Sequence, residues 1–75
     1  MRSKDFEVID RAVKRRGITV AELSRRVEMD PVLLHRSLYG ARNIKSYEFV
    51  ALCAELDLEI EDFKDCLPEA LKAKV

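Results

Sequence analysis

Apolar residues recur along this chain at intervals of three and four, and with only two glycines and two prolines among 75 residues that spacing predicts an all-α protein. From Asp5 to Arg16, Phe6, Ile9 and Val13 share one helical face with Ala12 beside them. Gly17 follows as a left-handed C-terminal cap, and Ile18 is placed to pack back on the helix. Thr19-Val20-Ala21-Glu22 has the form of a capping box: the Thr hydroxyl accepts the amide three residues on, and the Glu carboxylate reaches back to the cap amide. A second helix starts there, with Leu23 and Val27 inward and Ser24 small enough for another helix to come close. Glu28-Met29 makes a turn. Asp30 is a favoured N-cap and Pro31 a favoured first helical residue, so a third helix runs from Pro31 to Tyr39, stopped by Gly40, with Leu34 and Leu38 as its core contacts.

A polar loop, Ala41-Arg42-Asn43-Ile44-Lys45, leads to a fourth helix at about Ser46 to Leu56, whose apolar face is expected at Phe49, Val50, Leu52, Cys53 and Leu56. Leu58 and Ile60 lead into a fifth, from Glu59 to Cys66, with Phe63 and Leu67 apolar. Pro68 breaks it, and residues 69–75 form a frayed tail or a last helical turn. Repeats, linkers and low-complexity stretches are missing from the pattern. Residues 1–75 are therefore expected to form a single domain with its core at 5–67 and a short tail at 68–75.

A domain of this size buries only about 60% of the surface its unfolded chain exposes, so no large catalytic pocket is expected. Net charge is zero, but it is segregated. Residues 1–45 hold 11 Lys/Arg against 6 Asp/Glu, and residues 46–75 hold 3 against 8, which makes the halves +5 and −5. Such an asymmetry predicts a basic end suited to nucleic acid and an acidic end turned away from it; the plain alternative is a helical protein with solvated charges. One His, two unpaired Cys and dispersed carboxylates offer no catalytic constellation, and no enzyme, metal site or cofactor is expected. Cys53 and Cys66 are expected as reduced thiols, Cys53 at a small-residue core position. The absence of a membrane-length apolar run and of a signal-peptide core sets the expectation of a cytoplasmic protein without membrane contact.

Residues 19–39 carry the strongest functional signal, because two short helices joined by so tight a turn are what a protein uses to lay a helix in a DNA groove. The ordered landmarks are Thr19, Glu22, Leu23 and Ser24; Met29 and Asp30; Leu34; His35-Arg36-Ser37-Leu38-Tyr39-Gly40 with Arg42 and Asn43; Leu52, Cys53 and Leu56; and Leu58, Glu61, Asp62 and Phe63. Over residues 5–67 this set resembles the Cro/lambda-repressor-like (XRE-type) helix-turn-helix DNA-binding family. That resemblance implies a compact five-helix lambda-repressor-like domain, with the helix-turn-helix at helices 2 and 3. Three positions depart from the family pattern. The frequent turn glycine is Glu28, at a cost of around 1 kcal/mol if the residue is left-handed. The residue after the helix 2 cap is Val20 in place of a phosphate-holding Gln, and Ser37 stands where an aliphatic side chain usually fills the core.

If helix 3 enters a major groove, helical spacing points Pro31, Val32, His35 and Arg36 at base edges, with Tyr39 a turn later. Arg36 is the best candidate, since its planar fork can donate two hydrogen bonds to guanine O6 and N7; its alternative is a solvated surface arginine. Phosphate contacts are expected from Thr19 at the amide end of helix 2, from Arg26 and Tyr39, and from Arg42, Asn43 and Lys45 after helix 3. Lys14, Arg15 and Arg16 add positive field, or simply cap the end of helix 1. The expected function is a sequence-specific double-stranded DNA-binding regulator, most readily a repressor, acting as a homodimer with Phe63, Leu67 and Leu71 at the dimer contact and no small-molecule ligand. The competing reading is a protein-interaction module on the same fold, an antitoxin or anti-repressor, using the apolar Pro31 to Leu34 surface.

Overall fold

The computed structural model describes residues 4–75. Residues 1–3, with Arg2 of the basic half, lie outside them. α1 spans Asp5–Arg16, with Asp5 and Glu7 in its first turn and Lys14, Arg15 and Arg16 in its last, each sign at the helix end whose dipole it complements. Gly17, at φ +68°, ends it as a left-handed cap, and the Ile18 amide turns back to the Val13 carbonyl at 3.3 Å. The buried face is Val8, Ile9, Ala12 and Val13. Phe6, expected on that face, is half-buried at its edge and lies over Gly40, where a Cβ would stand 2.6 Å from the ring.

α2 spans Val20–Arg26 and α3 spans Pro31–Leu38. Thr19 Oγ accepts the Glu22 amide at 3.1 Å, but the capping box forms only by half. The Glu22 carboxylate turns to Arg25 and Arg26 instead of the Thr19 amide, because two cations one turn ahead offer it charge-assisted partners. In the connecting turn Glu28 adopts φ +55°, and the Met29 amide reaches the Ser24 carbonyl at 2.9 Å. Asp30 then accepts from the Val32 and Leu33 amides at 2.8 and 3.3 Å, starting α3 at Pro31. Gly40, at φ +78°, closes that helix.

α4 spans Ser46–Leu56 and ends at Asp57, left-handed at φ +54°. The segment Ile60–Cys66, expected as α-helix, is a 3₁₀ helix bent at Phe63. Glu59 and Pro68 leave it too short for a settled α-helical ladder, and the Glu59 amide is taken by the Asp62 carboxylate at 2.7 Å. A separate four-residue helix, α5, follows at Glu69–Lys72, so the expected five-helix count becomes five α-helices and one 3₁₀ segment among the described residues, with no strand.

α1 is the spine: α3, α4 and the 3₁₀ segment pack on it, and α2 packs on α3. Ile9, Leu23, Leu34, Leu52 and Leu56 are sealed at the centre. Two expectations fail here. Val50, assigned to the apolar face of α4, is 66% exposed, because the face that meets α1 runs through Leu52 and Leu56. Phe63, assigned to a dimer contact, is 7% exposed and packs against Phe49 with ring centroids 5.0 Å apart; the bend of the 3₁₀ segment turns it into the core. Leu67 is half-buried, and Leu71 is exposed on α5. No helix among the described residues is long and apolar enough to cross a membrane.

Glu28 holds a conformation that suits glycine, and its side chain makes no ion pair among the described residues. Glu28→Gly is therefore expected to stabilise the fold by about 0.5–1 kcal/mol, as relief of left-handed strain outweighs the added chain entropy. Urea unfolding checks this: the midpoint should rise with the slope unchanged.

Candidate nucleic-acid interface

α3 turns Leu34, Ser37 and Leu38 inward, which leaves Pro31, Val32, His35, Arg36 and Tyr39 on its outer side. All five are exposed. The His35 ring meets Tyr39 edge-on at 4.6 Å, one turn apart, and the Arg36 guanidinium makes no hydrogen bond or ion pair with a described residue. Its fork is therefore available to a ligand. A hollow of about 270 Å³ between the end of α1, the start of α2 and α3 brings Thr19, His35 and Tyr39 together with Lys14 and Asp10. Lys14 is paired there with Asp10 at 2.9 Å, and that hydrogen bond raises its pKa, so the ammonium holds its charge but shares it with a carboxylate.

Arg42 does not project outward. Its Nη1 donates to Ser37 Oγ at 2.9 Å and to Glu48 Oε1 at 3.0 Å, and its Nη2 donates to Glu48 Oε2 at 3.1 Å. Its side chain is 19% exposed, and that of Glu48 only 6%. Glu48 Oε1 also accepts the Lys45 amide at 2.9 Å, and the Ser37 hydroxyl donates to the Leu33 carbonyl at 3.0 Å. A bidentate pair of this kind is the strongest polar contact a guanidinium makes. The Arg42 hydrogen bond holds the Glu48 carboxyl below the usual carboxylate range, against the upward push of burial. Glu48 in turn raises the Arg42 pKa. The serine that departs from the aliphatic pattern is thus the third member of a satisfied buried network: no buried side-chain nitrogen or oxygen among the described residues lacks a partner.

Arg26 is committed too. It bridges Glu22 on its own helix and Glu55 on α4, both at 3.2 Å. Arg25 pairs with Glu22, whose carboxyl is held down by Arg25 first and Arg26 second. Thr19 caps α2, while Asn43 and Lys45 are exposed and their side chains make no hydrogen bond or ion pair among the described residues. Of the residues expected at phosphates, Asn43, Lys45 and Tyr39 remain available beside Arg36, and Arg26 and Arg42 are held by carboxylates. Glu48 was missed as a site-shaping residue. Its signal was the carboxylate at the third position of helix 4, the same spacing read at Thr19–Glu22.

Val32 and Leu33 make the N-terminal end of α3 an exposed apolar lip. Burial pushes the Cys53 and Cys66 thiols up, which keeps them protonated and poor nucleophiles. No family model, no curated protein and no solved structure matches this chain.

Glu48→Gln keeps the shape of the buried pair but removes its charge, and is expected to cost on the order of 2 kcal/mol near neutral pH. Because the folded carboxyl sits below the ordinary value of 4.5, its contribution is complete above that value and is lost as pH falls through the lower folded one. Urea unfolding at neutral pH and at pH values below 4.5 checks both: the wild type should weaken more steeply than Glu48→Gln on acidification.

Proposed function

We propose that this chain is a sequence-specific double-stranded DNA-binding regulator, most readily a repressor, built as a helix-turn-helix of the Cro/lambda-repressor-like kind from α2 and α3. The observation that carries the reading is the outer face of α3. Arg36 stands there unpaired beside His35 and Tyr39, and the loop that follows offers Asn43 and Lys45, while neighbouring arginines are held by carboxylates. In this reading α3 lies in the major groove, Arg36 donates to a guanine, Val32 meets a thymine methyl, and His35 and Pro31 fill the remaining contact. Tyr39, Asn43 and Lys45 contact phosphate. Arg42 acts indirectly: it fixes the loop from which Asn43 and Lys45 project. A homodimer would place two such helices about one helical turn of DNA apart.

With Arg26 and Arg42 committed, few phosphates are neutralised. About three per protomer give a slope of log affinity on log salt near −2.7 per protomer, or roughly a 40-fold loss between about 50 and 200 mM salt. A pool of random duplexes, carried through rounds of binding at low salt, tests the reading through enrichment of a short motif. Arg36→Ala should then relax preference at one base pair by about 1–3 kcal/mol, whereas Lys45→Ala should weaken all sequences alike and reduce the slope by about 1.

The exposed Val32 and Leu33 and the zero net charge favour a second reading, a protein-interaction module that offers the start of α3 to a protein partner. Failure to retain any duplex at about 50 mM salt would exclude DNA binding and leave this second reading.

A further inference from the structure

α4 is apolar on both sides. Leu52 and Leu56 are buried on its inner side, and Tyr47, Val50 and Ala54, spaced by three and four, line its outer side in solvent. The two charges of the helix are both turned to neighbours, Glu48 to Arg42 and Glu55 to Arg26. The outer face therefore carries no free charge, whereas a solvent-facing helix side ordinarily carries charged and polar residues. Ile60, 71% exposed, extends the strip past the C-terminal end of α4. It borders with Val50 an apolar groove of about 180 Å³ that reaches Phe49, Cys53 and Phe63.

The charges at the ends of the strip select what covers it. Lys45 immediately precedes α4, and Glu59 borders the groove beyond the other end; neither makes an ion pair with another described residue. A second α4 laid antiparallel brings each Lys45 to the partner's Glu59 and opposes the two helix dipoles. A parallel pair would set lysine on lysine and glutamate on glutamate. With the two-fold axis near Val50, Tyr47 meets the partner's Ala54, whose methyl leaves room for the ring at the mouth of the groove.

We propose that the outer face of α4, formed by Tyr47, Val50 and Ala54 with Ile60, is a two-fold interface for a second copy of this chain, closed at each end by Lys45 and the partner's Glu59. This interface takes the place of the contact expected at Phe63 and shares only Lys45 with the proposed DNA contacts. The Lys45 ammonium has three donors, so one rim pair leaves two for phosphate. A patch built on three large side chains falls in the class under about 1,200 Å² in total, where associations are weak and reversible.

Sedimentation equilibrium of the full chain without DNA tests the proposal. The wild type should rise from 8.7 kDa toward twice that mass as concentration is raised to about 500 µM, the range of weak association. Val50→Glu should remain monomeric with an unchanged helical circular dichroism spectrum. Lys45→Glu and Glu59→Lys should each weaken association about three- to tenfold, because each is repeated twice across the axis. The double variant Lys45→Glu/Glu59→Lys should restore it. A wild type that stays monomeric throughout, a Val50→Glu that associates as well as the wild type, or a double variant no tighter than the singles would each overturn the proposal. Since no DNA is present, none of these results bears on the reading of α3.

Discussion

The corner between α3 and α4 is held by one buried carboxylate. Glu48 accepts from both terminal nitrogens of Arg42 and from the Lys45 amide, while Arg42 also reaches the Ser37 hydroxyl on the inner side of α3. One ion thereby ties the last turn of α3, the loop after it and the first turn of α4. Desolvating such a pair is expensive, and it is tolerated because no buried side-chain nitrogen or oxygen among the described residues is left without a partner. Removing any member would leave a charge or hydroxyl stranded against the core. The orientation of the outer side of α3, on which the proposed function depends, follows from this corner.

The same constraint redistributes the basic half of the chain. A count of charges suggests a broad positive surface, but Arg26 is anchored to Glu55, Arg42 to Glu48, Lys14 to Asp10 and Arg16 to Asp57. Those pairs act mainly as ties between elements. Arg26–Glu55 joins α2 to α4 and Arg16–Asp57 joins the end of α1 to the end of α4, so on α3 and the loop after it Arg36 and Lys45 are the cations left unpaired among the described residues, with Lys4, Arg11 and Arg15 unpaired elsewhere in that half. A reader with so few free cations would depend on the fit of Arg36 and Val32 to base edges more than on bulk attraction to phosphate.

Helix ends were readable because caps are local chemistry. Gly17, Asp30-Pro31 and Gly40 stop or start helices through backbone conformation and hydrogen bonds within a few residues: α1 ends at Arg16 before Gly17, α3 begins at Pro31 after Asp30, and it ends at Leu38, one residue short of the expected Tyr39. Side-chain direction across elements was less readable. Whether Val50 or Leu52 faces α1 depends on a rotation of α4 of under half a turn, and Phe63 turns inward only because the segment bearing it is 3₁₀ and bent. Arg42 looked like a phosphate ligand because a basic loop after a helix usually faces outward. Its partner lies six residues away in another element, and periodicity carries no information about such a pairing. Glu28, by contrast, was readable as a strained turn residue through the resemblance, which places a turn glycine at that position, and its φ of +55° is left-handed.

Backbone amide shifts, followed by heteronuclear NMR as duplex DNA from a selected pool is titrated into the labelled protein, locate the bound surface directly. The account predicts changes concentrated at Val32, His35, Arg36, Tyr39, Asn43 and Lys45, with the side chains of Arg42 and Glu48 remaining paired. Changes confined to the Tyr47, Val50 and Ile60 surface, or none at all at low salt, would contradict it.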